Sequence, residues 1–310
     1  MTTTDGVARP GGEASSSTGS IYDIGYHGYD GPRLGRRHAI ATLVRHGVRS
    51  VFGLGRSSRA KILPATCLAI PALIAALVVG IMALTARFGV EQVPGLPGHA
   101  ELFGAVSAFS TILVAAQAPE LLGRDVRYRV LTLYFSRALL RVDYALAKLA
   151  ALAVAVAAVL LLPQVILSLG TVLLTADVIG ALATELGRWP AILGSTAVNA
   201  AVPAALALAI SGLIVRRAYA TATIFGLFIV PGIVAAIVIA LDLGPASRWI
   251  VLLDVGSVLE GANAWFFGIV PTGEVLASSR VPTWAALVAA VAAGAGATAV
   301  LVQRYRTVAA

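Results

Sequence analysis

APELLGRDVRYRVLTLYFSRALLRVDYALAKLAAL, residues Ala118–Leu152, holds five arginines, two aspartates, a glutamate and a lysine. It lies between two long apolar runs that carry almost no charge. Hydrocarbon does not accept so many ionisable groups without function or pairing. The stretch therefore reads as a charged connection on one side of a membrane, with a spanning helix before and after it.

Composition supports this. The 310 residues are 58% hydrophobic and 12% charged, with a mean hydropathy of +0.88, whereas soluble domains carry about 25% charged residues. A water-soluble core of this size cannot bury so much apolar surface, so the expected class is an all-α polytopic membrane protein. The formal net charge of +8 points to arginine retained on one side of a membrane, and no nucleic-acid partner is expected. The single cysteine, Cys67, lies in an apolar run and reads as a small buried hydrophobe. The first thirty residues are polar and lack an apolar core, so no cleavable signal peptide is expected.

About 20 apolar residues are needed to cross ~30 Å of hydrocarbon. Six runs qualify: 62–85, 102–118, 149–174, 190–215, 218–241 and 281–302. Basic residues alternate between the connections. Eight lie between Pro32 and Lys61, five more are Arg124, Arg127, Arg129, Arg137 and Arg141, and then come Arg216, Arg217, Arg304 and Arg306. The other side holds Arg87, Arg188, Arg248 and Arg280 among eight acidic residues. The positive-inside rule then places both termini in the cytoplasm and the chain in the cell membrane.

Two segments do not span. Residues 34–61 space Ile40, Val44, Val48, Val51 and Phe52 as on one helix face, with Arg37, Arg45 and Arg49 elsewhere. This fits an amphipathic helix at cytoplasmic headgroups; a basic linker fits as well. Residues 1–33 form a polar N-terminal tail. In 248–270, Asp254, Glu260 and Asn263 interrupt the apolar pieces, which predicts short interfacial or re-entrant helices on the outer face before the last span. The span interiors hold Gln117, Gln164, Ser168, Ser195, Thr196, Asn199 and Thr223. Two roles are open for these: helix–helix hydrogen bonds, or, for Gln117, Gln164 and Asn199, the lining of a translocation path. The four histidines fall outside the spans and read as surface residues. Neither lysine sits in a phosphate-binding Gly-x-x-x-x-Gly-Lys loop, so this chain holds no nucleotide in that way.

Residues 119–144 combine apolar positions with arginines and Tyr134. A helix docking a soluble partner fits, because Arg and Tyr make interface anchors; a positive-inside loop without a partner fits too. Here the residues resemble the loop between the second and third spans of permease subunits of type-2 ABC exporters. The matching positions are Glu120, Arg124 and Asp125, then Ser136, Arg137 and Arg141, then Ala147 and Lys148. Ala138 stands where that family often has proline, and Tyr128–Arg129 replaces its Gly-Thr pair. The layout of residues 34–310 resembles the same family, and IYDIGYHGYDGPRLGRR (21–37) is similar to a segment of an actinobacterial subgroup.

The resemblance implies a transport subunit rather than an enzyme. It implies a second permease subunit, which pairs with this chain as homo- or heterodimer. It also implies a separate ATP-binding subunit that carries ATP and Mg, with no cofactor in this chain. Contact with that subunit is expected through Glu120, Arg124, Asp125, Arg127, Tyr134, Arg137 and Arg141. A non-transporting membrane scaffold and a lipid-modifying enzyme using Asp254, Glu260 and Asn263 are the alternatives.

Overall fold

The structure is a computed structural model and describes residues 31, 34–89, 95–127, 139–214, 216–242 and 244–307, without the side chains of 126 and 127. The polar tail expected over 1–33 lies, Gly31 apart, outside the described residues, and so do Tyr134 and Arg137.

The chain is an all-α polytopic membrane protein, and among the described residues there is no strand. Helix α1 is Arg36–Val51, α2 Ser58–Ala86, α3 His99–Arg127, α4 Arg141–Leu174, α5 Val178–Leu213 and α6 Arg217–Ala240. A 3₁₀ helix, Ser247–Leu253, leads to α7, Val255–Phe267, then α8, Glu274–Ser279, and α9, Thr283–Thr307. Helices α2, α3, α4, α5, α6 and α9 are long and apolar enough to cross a membrane. The 3₁₀ helix and α7 meet at 92°, so the segment with Asp254, Glu260 and Asn263 is broken, as expected. Asp254 sits at the break and caps α7 by accepting from Gly256 N (3.2 Å) and Ser257 N (2.8 Å).

Helix α4 starts at Arg141, eight residues before the apolar run at Leu149, and two further helices outrun their apolar runs. Helix α3 passes through the buried Pro119 and continues to Arg127, so residues 119–127 prolong the second span. Helix α5 starts at Val178, twelve residues before the apolar run at Pro190, with Asp177 accepting from Gly180 N at 3.0 Å as its cap. In both, ionisable residues remain helical because they are paired inside the fold. The prolines Pro71, Pro163, Pro203 and Pro231 all lie within assigned helices.

Helix α4 is central and touches α1, α2, α3, α5 and α9. Its buried apolar face is mostly alanine, valine and leucine, and the small residues let helices approach closely where lipid leaves little hydrophobic driving force. Helix α1 is amphipathic as expected. It buries Leu43, Gly47 and Val51 and leaves Arg37, Arg45 and Arg49 exposed. Arg36, at its start, makes a two-pronged pair with Asp143 of α4, with both N–O distances 2.7 Å. The Asp143 carboxylate pushes the Arg36 guanidinium above its ordinary pKa, chiefly through that hydrogen bond.

A Cβ at Gly47 would lie 2.6 Å from Ala151 Cβ, so only glycine permits this approach of α1 to α4. Gly47→Leu is expected to lower the Tm of the detergent-solubilised protein, at about 1–3 kcal/mol of overpacking. His46→Leu, on the exposed face, is expected to change stability by less than about 0.5 kcal/mol. Equal Tm values for the two variants would rule out this packing role.

Candidate functional site

The ends of the bundle differ. The basic end carries α1, the starts of α2, α4 and α6, and the ends of α3, α5 and α9. Three carboxylates organise it. Glu120 of α3 is largely buried. Its Oε1 accepts from Arg56 in the α1–α2 turn at 2.7 Å, and its Oε2 from Arg217 of α6 at 2.9 Å. Arg124 lies one turn further along α3, 4.0 Å from the same carboxylate and 43% exposed at its side chain.

Asp125 pairs with Lys148 of α4 at 2.7 Å and accepts from the Tyr144 hydroxyl at 2.7 Å. Lys148 is only 3% exposed; its ammonium also donates to Leu121 O at 3.3 Å and lies 5.3 Å from the Tyr144 ring centre. The Tyr144 ring packs on Tyr305 of α9 at 5.2 Å. The third carboxylate, Asp143, holds Arg36 and accepts from Leu140 N at 3.0 Å, which fixes the first turn of α4. Arg141 donates to Arg306 O at 3.1 Å and Arg304 to Gly212 O at 3.3 Å, tying α9 to α4 and α5. Both ends of the connection 128–138 are thus bound to the rest of the bundle.

Of the residues expected to touch a partner, Glu120 and Asp125 point inward to these pairs. Arg124 is exposed, Arg141 is engaged with α9, and Arg127 is placed only as the last residue of α3. Sequence reasoning missed Lys148, Tyr144 and Asp143 as parts of one cluster. The available signal was the spacing of Tyr144 and Lys148, which as i and i+4 share a helix face.

The far end holds a second network, and here one expectation is corrected. His99 is no surface residue. It opens α3 and is buried between Gln164 of α4 and Glu185 of α5, with Nδ1 2.7 Å from Gln164 Oε1 and Nε2 3.0 Å from Glu185 Oε2. The Gln164 amide donates to His99 O at 3.0 Å, which turns its Oε1 to Nδ1 as an acceptor. Nδ1 therefore carries hydrogen. Arg188 closes the cluster with a 2.6 Å bond to Glu185. Gln164 is fully buried in this network. The hydroxyls of Ser168, Ser195 and Thr196 are buried without a hydrogen-bond partner among the described residues, so these do not supply the expected interhelical bonds.

A cavity of about 730 Å³ opens between α3, α5, α6 and α7. Phe103, Phe225 and Phe228 line it, together with Asn199 and Asn263, which are joined by a 2.6 Å hydrogen bond. Asn199 thus lies on a cavity, whereas Gln117, half-buried on α3, is not in its lining. Asp254 and Glu260 also line it while accepting from backbone amides, Glu260 from Gly273 N at 2.5 Å. Among the described residues no group of three or more His, Cys, Asp or Glu is arranged to hold a metal. In comparison with known proteins, the chain matches no family model and no curated protein.

Breaking a buried ion pair by removing one partner costs about 3–5 kcal/mol. Lys148→Met is accordingly expected to lower Tm sharply, and Asp125→Leu with Lys148→Met to recover most of it; a double variant no better than the single would contradict this role. His99→Leu leaves Gln164 and Glu185 facing an apolar group, at about 1–3 kcal/mol for each group unsatisfied. Its Tm should fall, and an unchanged Tm would show that the network does not hold α3 to α4 and α5.

Proposed function

We propose that the chain is the membrane-spanning permease subunit of an ATP-driven ABC exporter, set in the cell membrane with both termini in the cytoplasm. One observation carries the reading: the connection between α3 and α4 is clamped on both sides. Glu120 and Asp125 before it, and Asp143 and Lys148 after it, bind α1, the α1–α2 turn and α6 as well as each other. A force applied to 128–138 therefore reaches several elements at once. A loop without a partner needs no such bracing.

In this reading a separate ABC subunit holds ATP and Mg and docks beneath the connection, where Arg124, Arg127 and Arg137 meet its acidic groups. A second permease subunit, identical or not, faces this one across the membrane, and the outward apolar faces of α2 and α6 suit lipid and that partner. The direction of transport follows the family resemblance. A lipid-modifying enzyme fits less well, because Asp254, Glu260 and Asn263 are engaged with Ser257 N, Gly273 N and Asn199.

Co-purification from the native membrane with an ATPase bearing a Walker A loop is the expected result. Arg137→Glu should leave insertion intact and uncouple ATP hydrolysis from transport, because charge reversal at a docked interface costs several kcal/mol. Coupling as in wild type, or purification free of any ATPase, would defeat the assignment.

A further inference from the structure

The cavity between α3, α5, α6 and α7 carries charge of one sign. Glu101, Asp254, Glu260 and Glu274 line it, and its described lining contains no Arg, Lys or His. Asp254 caps α7, and Glu101 and Glu274 stand in the first turns of α3 and α8. Helix N-termini offset roughly half a charge each, which leaves the cavity negative. The rest of the lining is mostly apolar, with three phenylalanines, five hydroxyl side chains and two asparagines, and about 730 Å³ is the size of a small-molecule site.

An independent observation also points to a ligand. Asn199 and Asn263 are 6% and 5% exposed. The Asn199 amide donates to Ser195 O at 2.8 Å and to Asn263 Oδ1 at 2.6 Å, which orients both side chains. Asn199 Oδ1 and Asn263 Nδ2 remain, an acceptor beside a donor, with no partner among the described residues. Neither atom is among the fully buried ones left without a partner, so both are accessible from the cavity that their side chains line.

We propose that this cavity binds an amphipathic organic cation: an apolar body carrying a positively charged nitrogen and an amide or hydroxyl group. The cation meets the carboxylates and the faces of Phe103, Phe225 and Phe228, and the amide or hydroxyl completes the asparagine pair. An acyl chain or a second protein copy would leave the four carboxylates without counter-charge. As a binding site the proposal stands on the cavity; that the cation is the exported substrate rests on the permease reading.

The test uses the full chain in nanodiscs, without any ATPase, and two probes of the same shape and opposite charge: tetraphenylphosphonium and tetraphenylborate. Binding to empty nanodiscs is subtracted. Saturable phosphonium binding is expected, tighter than borate by about tenfold or more, and weakened about fivefold to tenfold in Glu101→Gln/Glu274→Gln. Both glutamates are exposed, so this variant keeps the fold. Phe228→Ala should weaken binding as well. No saturable signal, equal binding of the two ions, or an unchanged affinity in the double glutamine variant would overturn the proposal. Because no ATPase is present, failure here leaves co-purification untouched, and failure of the permease reading leaves this binding untouched.

Discussion

The bundle depends on the buried ion pair between Asp125 and Lys148. A lysine at 3% exposure in an apolar helix is tolerable only when its ammonium is matched, because an unpaired buried charge is far costlier than any single packing contact. Asp125, Leu121 O and the Tyr144 ring together match it. The pair joins the last turns of α3 to the second turn of α4 and so sets their register. From it the order spreads: Tyr144 to Tyr305, Asp143 to Arg36, and Glu120 to Arg56 and Arg217. Each further contact presupposes that α3 and α4 are aligned as this pair aligns them.

At the far end the His99 network plays the part that the Asp125–Lys148 pair plays at the basic end. Both networks join α3 to α4, one near each end of α3. Between them the contacts are mostly alanine and leucine, close but not directional.

This division explains what could be read from sequence. The apolar runs and the alternation of arginines indicate six spans, and Asp254, Glu260 and Asn263 mark the break before the last, as found. Amphipathic spacing likewise shows α1. The helix ends were not legible, because hydropathy treats every charge as seeking water. Glu120 and Asp125 stay in α3 because arginines and a lysine from elsewhere in the chain reach them, and Glu185 stays in α5 because His99 and Arg188 do. Those partners are 3 to 97 residues apart. His99 reads as a surface residue for the same reason: its partners lie 65 and 86 residues away.

The brace and the cavity share two helices. Glu120 belongs to α3 and Arg217 to α6, and the same two helices carry Phe103, Phe225 and Phe228 into the cavity wall. The other walls, α5 and α7, are joined to each other by the Asn199–Asn263 bond. The two pairs are themselves joined, because His99 of α3 is bound to Glu185 of α5 at the far end, so a displacement delivered at the basic end would reach all four walls. The sign of the charges supports the same geometry. Arginines crowd the end where an ATPase would press, while carboxylates line the half where a cation would wait, and low-dielectric walls concentrate that field. Tight attraction alone would trap the cation. Water admitted among the aromatic faces and carboxylates would release it, because a bound cation loses most of its electrostatic hold once the dielectric around it rises.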